Sequence, residues 1–389
     1  MPKLKFDLFK EFFESEKSSG YILVALTILS LLLTNIFIGH SYINFWHSYL
    51  DLSFWKVELK YSLEHWINDG LMVIFFLLVG LEIEREIYVG ELSSIKKSAL
   101  PAIAALGGML VPALIHFSLN ANTPTQSGFG IPMATDIAFT LGVLSLLGNK
   151  IPLSLKIFLT ALAIIDDLGA IIIIAFFYTN DLSFAYLIGS LLIFVLLLIF
   201  NRLKVNKLSI YLLLGVVMWY LMLKSGVHAT IAGVLLAFAI PFNKNDNENI
   251  SYKLQHFLHK PVAFIILPIF ALANTAIMIP TNIVGSIVSN NSLGILFGLS
   301  LGKLIGIFAF SYVAVKIGVG ILPKDLNWNL IAGASSLAGI GFTMSIFITN
   351  LAFSDVEIIA SSKLIIIIAS VISAISGLIK LNMVTKRIN

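Results

Sequence analysis

Four ionisable side chains stand where the sequence is otherwise apolar. They are Asp136 in GFGIPMATDIAFTLG, the adjacent pair Asp166–Asp167 in LTALAIIDDLGAIII, and Lys303 in LFGLSLGKLIGIF. A charge at the centre of a membrane-spanning helix costs roughly 2.5–3.5 kcal/mol on insertion scales, so a charge kept there has a task. Buried carboxylates offer the oxygen ligands that hard cations prefer. Exclusion of water penalises the bare anion, so such a group holds a proton or a cation, and the two compete for the same oxygens. Neighbouring residues on a helix point about 100° apart, which gives the two carboxylates of the pair separate directions. One can face a cation path while the other meets a basic group. Lys303 is the basic residue placed mid-span and is the natural partner. The competing reading, a lysine snorkelling to the interface, fits poorly with a position eleven residues into its apolar segment. A loop position for the pair is likewise opposed by the apolar residues on both sides of it.

These groups need a scaffold that keeps them out of water, and the composition supplies one. The 389 residues are 58% hydrophobic and 12% charged, with mean hydropathy +0.96, whereas soluble domains carry about 25% charged residues. Lipid must cover the outside. The sequence reads as an all-α polytopic membrane protein of about twelve spans, each close to the 20 apolar residues that cross a bilayer. They run from 20–38 to 358–379 and include 128–147, 153–177, 227–241, 262–279, 293–317 and 329–351. Nothing marks a soluble domain, so residues 1–389 read as one transporter domain. With the N-terminus inside, 19 of the 25 Lys and Arg residues fall on the cytoplasmic side and Lys56, Lys60 and Lys224 on the other, while Lys156, Lys303 and Lys363 fall in spans or at their ends. That asymmetry sets both termini in the cytoplasm. Residues 1–19 alternate charges with Phe6, Phe9 and Phe13 on one helical face, as in a surface-lying amphipathic segment. The periplasmic stretch 39–66, with FWKVELKY, suits a surface hairpin. The chain has no cysteine, which excludes disulfides and thiolate chemistry. A pI near 9.0 comes from dispersed charges and does not point to nucleic acid.

Two spans are interrupted. Pro132 removes a backbone donor in the Asp136 span, and Gly128, Gly130 and Gly142 weaken it further. In 329–351, Gly333, Gly339 and Gly341 surround Ser and Thr in AGASSLAGIGFTMS. Broken backbone at membrane depth is tolerable beside a protein-lined cavity. Corresponding breaks in two halves point to an inverted-repeat transporter with its site where they cross; for either span alone, glycine serving close packing is the alternative. Gly294, Gly298, Gly302 and Gly306 recur every four residues beside Lys303, a packing stripe that would fix the lysine.

The strings ATDIAFTLGVLSLLG (134–148), LKIFLTALAIIDDLGAIIIIAFFY (155–178), GVHATIAGV (226–234) and GIGFTMSIFI (339–348) resemble the NhaA-type sodium/proton antiporters of bacterial inner membranes, over nearly the whole chain. The resemblance implies crossed, interrupted fourth and eleventh helices. It implies electrogenic exchange of cytoplasmic Na+ or Li+ for external H+, serving pH and sodium homeostasis, activation at alkaline pH, and a homodimer contacting through 39–66. By the same resemblance Asp166 and Asp167 bind the cation (Na+) and protons, Asp167 as the principal cation ligand and Asp166 as the proton-linked partner of Lys303. Thr135 and Asp136 stand at the crossing, and Glu82, Arg85, Glu86 and His256 belong to a pH-responsive cluster. Gln255 departs from the family's usual acidic residue, and Glu84 stands where a basic residue is expected. No cofactor and no catalytic residue are implied; the partners are the two ions, lipid and a second copy.

Other readings are weaker. An intramembrane prenyltransferase-like DDxxD site needs Asp where Ala170 stands, and no GxGD string is present for an aspartyl protease. A passive channel lacks the coupling that paired titratable groups provide. His228 fits a satisfied structural histidine or a sensor equally well. His256 and His259 fit a hydrated membrane-edge face better than a metal site.

Overall fold

The computed structural model describes residues 18–55, 57–179, 182–243, 249–280 and 283–388. Most of the segment 1–19 therefore lies outside the described residues. Those residues form ten helices long and apolar enough to cross a membrane, and an eleventh span made of a bent pair. The helical state follows from the solvent, because in hydrocarbon every backbone N–H and C=O needs a partner within the protein. The expected span 227–241 is shorter than anticipated. Gly226, at φ 85, ends the preceding helix, a turn occupies 228–230, and the helix proper is Ile231–Ala239. Hydropathy alone does not register that turn.

The chain divides into two compact units. The first comprises Met1–Ile28, Glu91–Ala170 and Ile277–Asn389. Here the Ile95–Asn120 helix stays continuous through Pro101 and Pro112 and packs along Lys303–Lys316. A side chain on Gly107 would strike the carbonyl of Gly306, and one on Gly306 would strike Gly107 in return, so the backbones touch there. Gly298 and Gly302 face Pro132 and Pro112. The segment Gly298–Gly302 is a π-helical turn directly ahead of Lys303. The glycine stripe thus holds the lysine's backbone, and Gly108 stands beside its side chain, 3.8 Å from Cδ for an added Cβ.

Both interrupted spans belong to this unit. One is a 3-10 segment, Gln126–Met133, followed by extended backbone at Ala134 and Asp136 and the helix Ile137–Ser145. The other is Trp328–Leu337 and Phe342–Ala352, bent by 48°.

The second unit comprises Leu29–Gly90 and Ile171–Ala276. Its Ile231–Ala239 helix lies close on Met72–Tyr88, where a Cβ on Gly233 would meet the Val73 carbonyl. Asn274 donates to Asn68 at 2.9 Å. The stretch after the first span forms a two-stranded antiparallel hairpin, Tyr49–Asp51 with Lys60–Ser62, whose tip exposes Phe54 and Trp55.

Candidate functional site

The first unit gathers Thr135, Asp136, Asp166, Asp167 and Lys303, all of them buried. Asp136 sits at the break of the first interrupted span. Its Oδ1 accepts the N–H of Phe139 at 2.9 Å, capping Ile137–Ser145. Its Oδ2 accepts the N–H of Thr343 at 3.0 Å and the Thr343 hydroxyl at 2.5 Å, at the start of Phe342–Ala352. One carboxylate therefore faces two helix N-termini, each equivalent to roughly half a positive charge. The backbone reinforces the crossing, since Asp136 N–H donates to the Ile340 carbonyl at 2.7 Å. Ser345 donates to the Ile131 carbonyl at 2.7 Å, which satisfies a carbonyl left over where the 3-10 segment ends. Ser370 accepts from Phe342 N–H at 3.2 Å.

Asp166 and Asp167 come from the unbroken helix Leu153–Phe177. Lys303 Nζ lies 2.5 Å from Asp166 Oδ2, and neither side chain has any solvent exposure. The same oxygen is 2.7 Å from the Thr135 hydroxyl, which also lies 2.9 Å from the Ala338 carbonyl at the end of the facing half-helix. The threonine's single proton serves one acceptor at a time. Asp166 Oδ1 is buried without a hydrogen-bond partner, and an orphaned buried oxygen marks a place for a proton or ion. Asp167, 3% exposed, is close enough to act on the charge of Lys303. Among the described residues no group of three or more acidic, His or Cys side chains gathers as a metal centre. The arrangement is two carboxylates and one ammonium, suited to a monovalent cation exchanged against protons.

The residues expected to form a pH-responsive cluster belong to the second unit. Glu82 is buried, and Arg85 pairs with Glu86 at 2.9 Å. Glu84 accepts from Ser251 at 3.1 Å. On the helix Ile250–Pro261, Ser251 and Gln255 are buried, whereas His256 is exposed. His228 reaches the Tyr178 carbonyl at 2.7 Å. Sequence reasoning did not single out Thr343 as the second partner of Asp136. The available signal was its place two residues after Gly341, in the first turn of the second half-helix.

The Na+/H+ antiporter 1 family matches residues 10–381. The chain is 60% identical over 379 residues to the Na(+)/H(+) antiporter NhaA of Flavobacterium psychrophilum, covering 97% of each. It is 58% identical to the NhaA of Cytophaga hutchinsonii, covering 97% of this chain and 96% of that one. Among solved structures, the sodium proton antiporter MjNhaP1 of Methanocaldococcus jannaschii has the same fold, with TM-score 0.53, 14% identity and 98% coverage of each chain. With a polytopic helical fold, two broken helices crossing at Asp136 and a buried aspartate–lysine pair beside them, the chain belongs to the NhaA-type Na+/H+ antiporters.

Proposed function

We propose that in this Na+/H+ antiporter Asp167 is the principal cation ligand, Asp166 the proton-linked partner of Lys303, and Asp136 a fixed charge for the crossed half-helices. The observation that carries the reading is the asymmetry at Asp166. One oxygen is shared by Lys303 and Thr135, and the other is without a partner. When a sodium ion from the cytoplasm takes the Asp167 oxygens, it displaces protons and weakens the Asp166–Lys303 pair. Movement of the half-helices then exposes the site to the other side, and proton binding there resets it. Thr135 couples the two events, because its proton alternates between Asp166 and the Ala338 carbonyl of the second broken span. Exchange is electrogenic in this scheme, with more protons moved than cations.

The protein resides in the bacterial inner membrane with both termini cytoplasmic, a reading supported by the Lys and Arg distribution. Two copies meet through the 39–66 segment, supported by the exposed Phe54 and Trp55 of its hairpin. Activation at alkaline pH would involve Glu82, Arg85, Glu86 and His256, with Glu84 and its Ser251 contact taking the place of the family's usual charge pattern. Lithium is carried by the same oxygens.

The test is sodium-dependent proton flux in proteoliposomes, with and without an imposed membrane potential. Flux driven by sodium and accelerated by a compensating potential is the expected result. Flux insensitive to potential would reject the electrogenic scheme. Full activity in Asp167→Asn would reject the ligand assignment.

A further inference from the structure

Thr160 stands on the Leu153–Phe177 helix ahead of Asp167, and its hydroxyl is buried without a hydrogen-bond partner. Other buried threonines give their hydroxyl a partner: Thr140 reaches the Leu337 carbonyl and Thr343 the Asp136 carboxylate, and four turn it onto the carbonyl four residues back. Thr27, Thr34, Thr275 and Thr349 do so at 2.7, 2.9, 2.7 and 2.8 Å. Thr160 Oγ makes no such bond and has no other hydrogen-bond partner, and an orphaned buried oxygen marks a place for an ion or a water. Seven residues at about 100° each fall about 20° short of two full turns, which sets Thr160 on the face of Asp167 and roughly 10 Å from it along the axis. Lys156 lies on the same face one turn earlier, with Ala163 between Thr160 and Asp167. The stripe passes from a half-exposed Lys156 to buried residues, with 8% exposure at Thr160, 1% at Ala163 and 3% at Asp167.

We propose that Thr160 Oγ is a transient ligand for the partly dehydrated cation on its way from the N-terminal end of this helix to Asp167. A neutral hydroxyl oxygen can replace one water of a hard cation without the charge that would trap the ion. The inference rests on the assignment of Asp167 as cation ligand and on the cytoplasmic placement of that helix end.

The experiment measures sodium-dependent proton flux against sodium concentration in proteoliposomes holding wild type, Thr160→Val, Thr160→Ser or Asp167→Asn. Valine removes the oxygen at nearly constant shape, and its apparent KM for sodium is expected to rise about three- to tenfold, the worth of one polar contact. Its maximal rate should stay within about twofold of wild type, as expected when binding rather than a later step is affected. Thr160→Ser keeps the oxygen and is expected to restore the wild-type KM. An unchanged KM in the valine variant, or equal impairment of valine and serine variants, overturns the proposal. If the valine protein aggregates, Thr160→Ala replaces it under the same criteria. Retained exchange in Asp167→Asn removes the underlying assignment; a silent Asp167→Asn together with a normal Thr160→Val removes the Thr160 role alone.

Discussion

Asp136 and Asp166 are the same residue type at nearly the same burial, 2% and 1% exposed, yet their surroundings differ in kind. Asp136 uses both oxygens on the ends of two half-helices, with backbone N–H groups among its donors. Those donors move only if the helices move. Asp166 places one oxygen against two side chains and leaves the other without a partner. Side-chain donors can swing away, and a proton or ion can take their place. The contrast fits the roles proposed for them, a structural charge and an exchangeable one: burial sets the cost of a charge, and the mobility of its partners decides whether it can turn over.

The largest expected effect comes from the exchangeable side. Asp167→Asn should abolish sodium-driven proton flux in proteoliposomes while the protein still assembles, because the amide keeps the shape but cannot hold a cation and release a proton. Asp136→Asn should retain measurable exchange, since one amide oxygen still caps a half-helix. If Asp136→Asn silences exchange in a protein that melts like wild type, the distinction between fixed and exchangeable aspartates collapses.

Asp136→Ala sharpens the comparison through stability. It strips the cap from two helix starts at about 1 kcal/mol each, and for a chain of this size that corresponds to a drop of about 2–3 °C in melting temperature. Thermal unfolding in detergent, followed by tryptophan fluorescence, measures it. A melting point equal to wild type would mean that the crossing is held by its other contacts, chiefly Asp136 N–H to Ile340 and Ser345 to Ile131.

Lys303→Ala tests the opposite member. Removing one partner of a buried pair leaves the other charge stranded, a cost of about 3–5 kcal/mol, unless the stranded group takes up a proton. Asp166 is free to do so at Oδ1. The expected outcome is therefore a folded protein that still exchanges, with a displaced pH profile and reduced dependence on membrane potential. An unchanged profile and potential dependence would detach Lys303 from proton coupling.

The chemistry-bearing residues were legible in the sequence because each violates its surroundings. Two acids in an apolar run, a lysine deep in a glycine stripe, and a proline inside a span all carry a local cost that demands a reason. Their partners were less legible, because partnership here is a tertiary fact. Thr343 is 207 positions from Asp136 and looks like any helix-starting threonine. Ser251, which donates to Glu84, looks like an ordinary hydroxyl near a helix start. The short Ile231–Ala239 helix was overestimated for a related reason: hydropathy counts apolar residues but does not detect the turn that follows Gly226. The division into two units was also not visible, since both are built from alternating stretches of one chain, and no composition shift marks where they interleave.

The smallest effects probe the threonines that flank the two aspartates. Thr343→Val removes one hydroxyl from Asp136 but leaves the backbone N–H of residue 343 in place, so a loss of about 1 kcal/mol with little change in transport is expected. Thr135→Val removes the hydroxyl shared between Asp166 and the Ala338 carbonyl. It should cost similar stability yet slow exchange and shift its pH dependence, because that proton links the carboxylate to the second broken span. Measuring melting temperature and flux on the same preparations makes the comparison quantitative. Equal stability losses with unequal flux losses would place the dividing line between fixed and exchangeable aspartates at the partners themselves. Equal losses in both would mean that each threonine only packs the crossing, and the line would then have to be drawn at the carboxylates alone.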